Sequence, residues 1–327
     1  MPAAVPAWRS PALPIRIGIS SCLLGEAVRY DGGHQRDDYL TGVLGRYVTW
    51  VPVCPEMEVG LGVPREPIRL VGDAAAPRLL GVSSGADHTE RMNDFARRRV
   101  RELARHGLSG YVLKRGSPSC GLAGVKLYRD EHAAPERAGV GLFARVLRKT
   151  LPLLPIEQED RLGDPRRRER FITRVFAYRR LCALRRMRPR PSDVAAFHAA
   201  HEALLLAHHP AAGARLERLV AQLRESPSPA WLDRYGSGFM RTLQSHATPQ
   251  KHARVLRRLA GSLTRRLAAA ERRELRALIG DYAAGRAPLL APITLINHHA
   301  TRLGLAGLQQ QVYLRRHPKE LMLTNRA

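Results

Sequence analysis

Three cysteines that each follow an apolar, strand-like run are the residues best suited to chemistry in this chain. Cys22 lies in the segment SCLLG, Cys54 in VCPE and Cys120 in KRGSPSCG. The preceding runs are short, rich in β-branched or aromatic residues, and predict buried strands at 15–19, 47–53 and 110–113. Because the carboxyl ends of parallel strands meet at one edge of an open α/β sheet, we expect the three thiols to converge.

Three converging thiolates could hold a metal centre, and the spacing leaves its kind open. Structural zinc usually takes four protein ligands, often from close CxxC pairs, and the chain contains no such pair. A 4Fe-4S cluster also prefers thiolates, and with three cysteine ligands one iron stays open for substrate or water. Buried free cysteines are the simpler interpretation of the spacing alone. The loop sequences GSPSCG and CPE favour a functional site, because Gly, Ser and Pro are typical of loops.

The chain is strongly basic, and the excess lies mainly in its second half. Its 327 residues carry 54 Lys and Arg against 29 Asp and Glu, a formal charge of +25. Residues 1–150 carry 22 basic and 15 acidic side chains (+7), whereas residues 151–327 carry 32 and 14 (+18). Single arginines are most often solvated, but an imbalance of this size is typical of a domain that binds a polyanion.

Arginines of the second half recur at helical spacing and would form rows along one side of a helix. The candidate RNA contacts are Arg167, Arg170, Arg174, Arg254, Arg257 and Arg258. Aromatic residues are too sparse there for a platform on which single-stranded bases stack. Recognition of folded RNA through its shape and backbone fits the composition better.

Composition also bears on the compartment. Four cysteines in 327 residues do not form a disulfide scaffold, and the first residues lack the apolar core of a signal peptide. Pro288 and Pro292 interrupt the most apolar stretch, which is too short to cross a bilayer. We therefore expect a cytoplasmic protein with reduced thiols, no membrane association and no nucleotide cofactor.

Strand and helix patterns alternate in the first half, which predicts an α/β domain with a mostly parallel sheet. Its further elements are expected as helices at 89–106 and 142–149, strands at 125–128 and 151–156, and a linker at 157–165. The second half predicts an all-α domain with helices at 166–187, 193–208, 211–225, 251–267, 270–284 and 295–313. The predicted division is a flexible leader at 1–14, the α/β domain at 15–157 and the basic helical domain at 158–327.

Several motifs of the first half resemble the thiouracil desulfidase (TudS-like) family: SCLLG at 21–25, VRYDG at 28–32, CPE at 54–56, GL at 60–61, PR at 64–65, LK at 113–114 and SPSCG at 117–121. The second half resembles the helical domain often fused to it, in FI at 171–172, VF at 175–176, KH at 251–252, API at 291–293 and HH at 298–299. Together they are similar to the RudS-type tRNA 4-thiouridine desulfidases. His201-Glu202 and Gly261-Ser262 depart from the His-Lys and Gly-Tyr pairs common in that family.

The resemblance implies a 4Fe-4S cluster held by Cys22, Cys54 and Cys120, with one open iron that takes the sulfur of a thiocarbonyl group. It implies a reaction without net redox change, in which water replaces the sulfur of 4-thiouridine in tRNA and hydrosulfide leaves. The basic helical domain would bind the tRNA. A soft iron suits a soft sulfur, and as a Lewis acid it would make the ring carbon more electrophilic.

Three polar residues beside the cysteines are candidates for catalysis. Glu56, two residues after Cys54, is the best-placed base for the attacking water, and Glu58 is the next. Ser117 could relay a proton or orient the substrate, and Lys114 could stabilise negative charge that develops on the ring. Each also has a structural interpretation, as a charged loop residue, a turn residue or the end of a strand.

The other candidates are more ambiguous. Arg29, Asp31 and Arg65 either hold the ribose-phosphate part of a nucleotide or pair with one another. Cys182, within an arginine-rich helical pattern, is expected in a core rather than as a fourth ligand. The histidine pair at 298–299 is expected at a helix end or against RNA, because adjacent positions on a helix do not face one metal ion.

Two other functions stay open at this point. One is desulfuration of free thiouracil or of a small thionucleotide, with the basic domain serving another partner. The other is a non-catalytic RNA-binding protein in which a metal stabilises the first domain. The +18 half favours a tRNA substrate, because an enzyme for a free base does not need it.

Overall fold

The parallel sheet expected in the first half is present. The structure is a computed structural model that describes residues 15–130 and 134–315, so the leader expected at 1–14 lies outside the described residues. The described strands are β1 (Arg16–Ser20), β2 (Thr49–Val53), β3 (Ile68–Val71), β4 (Arg78–Gly81), β5 (Gly110–Leu113), β6 (Val125–Tyr128), β7 (Glu136–Gly139) and β8 (Ile156–Gln158). One sheet has the order β2-β1-β5-β8, and all its strands are parallel. The predicted fold class is confirmed.

The centre of this sheet is buried on both faces. Ile17 and Ile19 of β1 and Val112 of β5 are fully buried, which is why these strands read as continuous apolar runs. Gly18 of β1 lies against the ring of Tyr111, and a Cβ at this position would come within 2.2 Å of that ring. A glycine is therefore required for β1 and β5 to pack in this register.

A second sheet was largely missed by the sequence prediction, which found only β6. Its order is β4-β3-β6-β7, with β3 and β6 parallel and the outer pairs antiparallel. These strands have only four residues each and carry exposed or half-exposed arginines such as Arg69 and Arg78, so their apolar pattern is weak.

Three helices belong to the α/β domain: α1 (Pro55–Glu58), α2 (Thr89–Arg105) and α3 (Leu142–Thr150). The last two confirm the predicted helices. Phe143 of α3 packs against Phe95 of α2 and Tyr111 of β5, with ring centroids 6.3 and 5.9 Å apart. All three rings are buried, and the removal of each phenylalanine ring from water contributes about 1.5–3 kcal/mol.

The α/β domain ends later than the sequence predicted. The chain divides into two compact units between Gly163 and Asp164, six residues beyond the expected division at 157. The segment expected to be a linker instead forms β8 and a 3₁₀ turn at Glu159–Gly163. The side-chain oxygen of Gln158 accepts hydrogen bonds from the backbone N–H groups of Leu122 (2.9 Å) and Ala123 (3.0 Å), so this segment is part of the first unit.

The second unit is helical, as predicted. Its described α-helices are α4 (Pro165–Arg186), α5 (Pro191–His208), α6 (Pro210–Ala221), α7 (Pro229–Thr242), α8 (Pro249–Gly261), α9 (Ala269–Ala283), α10 (Leu290–Arg302) and α11 (Ala306–Gln309). The first five begin with proline, whose missing N–H and fixed φ suit the first helical position. Asp164, Ser228 and Thr248 cap α4, α7 and α8 by accepting a backbone N–H.

The sequence prediction missed one helix of this unit and was wrong about another. Helix α7 was not predicted, since Gly236 and Gly238 lower the helix propensity of its sequence. The single helix expected at 295–313 is divided into α10, α11 and a 3₁₀ turn at Val312–Arg315. The break lies at Gly304, whose φ of +61° is the left-handed conformation that commonly ends a helix.

Aromatic rings fill the core of the helical unit. Phe197 of α5 packs on Phe239 of α7, with centroids 5.4 Å apart, and Tyr235 donates or accepts a 3.1 Å hydrogen bond with Nδ1 of His198. Buried histidines therefore have partners within this core. Across the described ranges, none of the helices has both the length and the apolar character that a membrane span needs.

Candidate active site

The three cysteines lie at the carboxyl ends of neighbouring parallel strands. Cys22 follows β1, Cys54 follows β2 directly, and Cys120 lies in the loop after β5. Because β1 is hydrogen-bonded to both β2 and β5, the central strand and its two neighbours each supply one thiol. All three side chains line one pocket of about 550 Å³, so the predicted convergence is present.

The loops that carry the cysteines are fixed by backbone hydrogen bonds. The Cys22 carbonyl, in a 3₁₀ turn at Ser21–Leu24, accepts the N–H of Gln35 at 2.9 Å. Cys54 is the N-cap residue of α1. In the Cys120 loop, Oγ of Ser117 accepts the N–H groups of Ser119 and Cys120 at 3.2 and 3.1 Å.

The absence of a side chain at Gly141 allows the Cys120 loop to pack closely against the backbone of this residue. A Cβ on Gly141 would lie 2.4 Å from the carbonyl oxygen of Ser119 and 2.8 Å from the backbone nitrogen of Cys120. Any larger residue at 141 would displace the loop that places the third thiol.

The thiols are free, buried to different degrees and close enough to influence one another. Burial raises the pKa of Cys22 to about 11, and the charge of Cys54 adds to that rise. Burial also raises the pKa of Cys54 and of Cys120. The neighbouring cations Lys114 and Arg29 act in the opposite direction on the pKa of Cys22. Without a metal the three groups are therefore thiols at neutral pH, and metal binding would release their protons.

Glu56 is the centre of a polar network beside these thiols. Its Oε2 forms an ion pair with Arg65, and the Glu56 and Arg65 side chains are only 15% and 6% exposed. Its Oε1 accepts hydrogen bonds from Ser119 at 2.7 Å and from Ser117 at 3.2 Å. Among the described residues that line the pocket, Glu56 supplies the only carboxyl group.

Arg65 holds this carboxylate rather than pairing with Asp31. The guanidinium also donates to the backbone carbonyls of Gly62 at 2.7 Å and Val28 at 3.1 Å, so it is held on several sides. Arg29 and Asp31 do pair with each other, 3.2 Å apart, and Arg29 lines the pocket while Asp31 does not.

The second candidate base faces elsewhere. Glu58 forms a 2.9 Å ion pair with Arg99 of α2 and is not among the residues that line the pocket. Burial raises the pKa of Glu58, and the charge of Arg99 opposes that rise. The geometry therefore favours Glu56 over Glu58 as the acid–base group.

Two functional candidates were missed in the sequence. Ser119 is fully buried, and its hydroxyl donates a hydrogen bond to Glu56. The Oγ atom of Ser119 lies 3.8 Å from Sγ of Cys120. Its position one residue before a cysteine in a Ser-Pro-Ser loop was the available signal. Glu159 forms a close ion pair with Lys114, and both are largely buried. It was missed because its segment was taken for a linker.

The pocket suits a group larger than one metal ion. Among the described residues, no three His, Cys, Asp or Glu side chains are arranged to coordinate a single ion. A multi-iron cluster spreads its thiolates over different iron atoms and so needs a wider triangle of ligands. Three free cysteines line a pocket of about 550 Å³, which has room for such a cluster.

The predicted RNA contacts of the helical unit differ in their surroundings. Arg254 and Arg257 are exposed on α8, whereas Arg258 forms a close ion pair with Glu202, one of the positions that departs from the family pattern. On α4, Arg167 is exposed and lies 3.6 Å from Asp164, while Arg170 and Arg174 are half-buried.

The remaining candidates are part of the helical unit. Cys182 lies in α4, and the neighbouring Tyr178 hydroxyl forms a hydrogen bond with its thiol. His299 is buried, and its Nδ1 lies 3.4 Å from the guanidinium of Arg302. Neither residue belongs to the cysteine pocket.

A parallel α/β sheet with a cysteine-lined pocket at its strand ends defines a ligand-binding or catalytic domain of the α/β class. Comparison with known proteins shows which families the two parts of the chain resemble. Residues 17–159 match the family described as 2-thiouracil desulfurase. Residues 203–318 match a second family, described as protein of unknown function DUF1722.

Individual relatives are similar over less than half of this chain. The uncharacterized protein YbbK of Bacillus subtilis (strain 168) is 29% identical over 136 residues, 40% of this chain and 88% of YbbK. The uncharacterized protein YbgA of Escherichia coli (strain K12) is 29% identical over 156 residues, 46% of this chain and 90% of YbgA. A solved structure, the [4Fe-4S]-dependent thiouracil desulfidase TudS, is 30% identical with a TM-score of 0.38, covering 46% of this chain and 93% of its own.

Proposed function

We propose that this protein is an iron–sulfur desulfidase that converts 4-thiouridine in tRNA to uridine. The observation that carries the proposal is the arrangement of Cys22, Cys54 and Cys120 at the ends of three neighbouring strands, around a pocket that also contains Glu56. These cysteines would hold a 4Fe-4S cluster. When bound, the cluster would supply an open iron whose soft Lewis acidity suits the sulfur of a thiocarbonyl group.

The polar network of Glu56 would accept a proton from the attacking water. Arg65 holds the carboxylate through Oε2, and Oε1 accepts hydrogen bonds from the hydroxyls of Ser117 and Ser119. A water that attacks the ring carbon would pass a proton to Oε1, directly or through one of these hydroxyls. Overall, one thiocarbonyl and one water give a carbonyl and hydrogen sulfide, with no electrons transferred.

Arg29 and Lys114 would provide positive charge beside the substrate. Both line the pocket that contains Cys22, and the charge of each acts to lower the pKa of that thiol. Lys114 is paired with Glu159 and Arg29 with Asp31. The Arg29–Asp31 pair is the more exposed of the two and therefore the weaker, so Arg29 is the cation better able to meet negative charge on the ring or on a phosphate.

The proposal of tRNA as substrate is supported by charge. Residues 151–327 carry an excess of +18, and Arg254 and Arg257 present exposed guanidinium groups on one helix. The alternative is free thiouracil or a small thionucleotide, which the family description favours and a 550 Å³ pocket would admit.

A desulfuration assay separates these possibilities. The full chain, purified and iron-loaded without oxygen, is incubated in parallel with bulk thiolated tRNA and with free 4-thiouracil. We expect loss of 4-thiouridine and release of sulfide from tRNA. Turnover of the free base alone would favour the alternative substrate. If neither substrate released sulfide, the hypothesis of a non-catalytic RNA-binding protein would remain.

Cysteine variants test the cluster within the same assay. Cys22→Ala, Cys54→Ala and Cys120→Ala each remove a proposed ligand, so iron content and activity should fall sharply. Cys182→Ala is the matched control, because this cysteine lies in α4 and is not among the residues that line the pocket. Equal iron content in all four variants would contradict the ligand assignment.

A further inference from the structure

A second polar pocket lies within the helical unit, and we propose that it holds one phosphate group. Its walls come from α4, the end of α5 and the start of α8, and the residues that line it include Arg166, Glu169, Arg170, Thr173, His208 and His252. We call it the α4–α8 pocket. The predicted RNA contact Arg170 lies in this pocket, whereas its neighbour Arg167 does not.

Buried polar side chains build the inner wall. Glu169, His208 and His252 are buried, and each is engaged by partners within the protein. Nδ1 of His208 donates to the Ser245 carbonyl at 2.7 Å, and Nδ1 of His252 lies 2.8 Å from the Tyr313 hydroxyl. The wall is therefore rigid before any ligand arrives, which lowers the entropy cost of binding.

Thr173 contributes an unused hydrogen-bonding group to this wall. The residue is 2% exposed, and its hydroxyl has no hydrogen-bond partner in the part of the chain that the structure describes. Buried hydroxyls without a partner are costly and uncommon, and they indicate a water or ligand. An oxygen atom of a bound group would supply the missing partner.

The charge of the pocket favours an anion. Arg166 and Arg170 line it, and neither forms an ion pair within the described ranges. Lys251 adds a further cation nearby, since its Nζ donates to the carbonyls of His208 (2.8 Å) and His246 (2.9 Å). Against these three cations stands one carboxylate, Glu169. Guanidinium groups bind phosphate oxygens through paired hydrogen bonds.

Size selects a phosphate group over a base. The α4–α8 pocket offers about 30 Å³, and one water occupies about 10–15 Å³ on the same scale. A tetrahedral head group fits such a space, whereas a nucleobase does not. The phosphate could belong to an RNA chain or be free inorganic phosphate. The RNA source rests on the proposed function, but phosphate binding itself does not.

Titration of the full-length protein with inorganic phosphate, followed by calorimetry, tests the pocket. Thr173→Val should raise the dissociation constant about three- to tenfold, because one hydrogen bond is lost. Arg166→Gln should raise it about tenfold or more, because its bonds to phosphate are charge-assisted. Since valine removes an unpartnered hydroxyl, Thr173→Val should fold at least as stably as the parent.

Two matched controls keep the test specific. Arg167→Gln removes the same charge one residue away, outside the pocket. Thr242→Val removes another buried hydroxyl, but one that already donates to the Gly238 carbonyl at 2.8 Å. We expect both controls to bind phosphate within about twofold of the parent.

The same variants, measured with tRNA, identify the source of the phosphate. If RNA is the source, Arg166→Gln weakens tRNA binding more than Arg167→Gln, and inorganic phosphate competes with tRNA. If Arg166→Gln weakens phosphate binding but leaves tRNA binding unchanged, the site stands with free phosphate as its ligand. Absence of phosphate binding, or equal affinities for all four variants, would overturn the proposal.

Discussion

Ser119 donates a 2.7 Å hydrogen bond to Oε1 of Glu56, and this contact joins the loop of Cys120 to the loop of Cys54. Ser117 reaches the same oxygen at 3.2 Å and lies 2.9 Å from the Ser119 hydroxyl. The carboxylate is thus oriented by two hydroxyls on one side and by Arg65 on the other. The proposed acid–base group, Glu56, is therefore connected to the segments that carry two of the three proposed ligands, Cys54 and Cys120.

The two serines should have separable effects. Ser119→Ala removes the shorter bond to Glu56, so we expect the turnover number to fall about tenfold or more while iron content stays near the parent value. Ser117 also accepts two backbone N–H groups of the Cys120 loop. Ser117→Ala should therefore lower iron content as well as turnover. Equal iron loss in both variants would contradict this division of roles.

Glu56→Gln tests the acid–base assignment. The amide keeps the shape and accepts hydrogen bonds but cannot take a proton, so turnover should fall by a factor of about a hundred to ten thousand. Iron content and visible absorption should be retained. Glu58→Gln is the control, because Glu58 pairs with Arg99 outside the pocket. Parent-like turnover in Glu56→Gln would mean that another group activates the water.

Much of the α/β domain could be predicted because its central strands are buried on both sides. The runs around Ile17 and Val112 are apolar throughout, and the parallel order of β2, β1 and β5 brings their loops together. The second sheet could not be predicted, since strands such as β4 begin with an exposed arginine and have four residues. These strands form by pairing with one another, which sequence periodicity does not report.

The ion-pair partners of the site residues also could not be predicted from the sequence. Glu56 and Lys114 were found as candidates from their distance to cysteines, but their ion-pair partners lie 9 and 45 residues away along the chain. Nothing in local spacing connects Lys114 with Glu159. Likewise, the rows of arginine at helical spacing did not reveal that Arg258 is paired with Glu202.

The Lys114–Glu159 pair should behave as a buried ion pair. Removing one partner leaves the other charge largely buried, so Lys114→Met and Glu159→Gln should each lower the free energy of unfolding by about 3 kcal/mol. The double variant should be less destabilised than the sum of the single variants. Urea unfolding of the four proteins measures this coupling, and additive effects would show that the pair contributes little.

The paired and unpaired arginines of α8 should differ in tRNA binding. Arg254→Gln with Arg257→Gln removes two exposed charges, so affinity should fall and the slope of log affinity against log salt should drop by about 0.7–0.9 per lost phosphate contact. Arg258→Gln should have a smaller effect, because Glu202 already neutralises Arg258. Filter binding at several salt concentrations measures the slopes. Equal slopes for all variants would place the RNA contacts elsewhere.

The 4-thiouridine content of bulk tRNA, measured before and after incubation with the iron-loaded, full-length protein, tests the proposed reaction itself. We predict that 4-thiouridine falls while uridine and sulfide rise in equal amounts, and that the Cys54→Ala protein leaves the tRNA unchanged. Unchanged 4-thiouridine in the presence of a protein that carries its full iron content would contradict the proposed reaction.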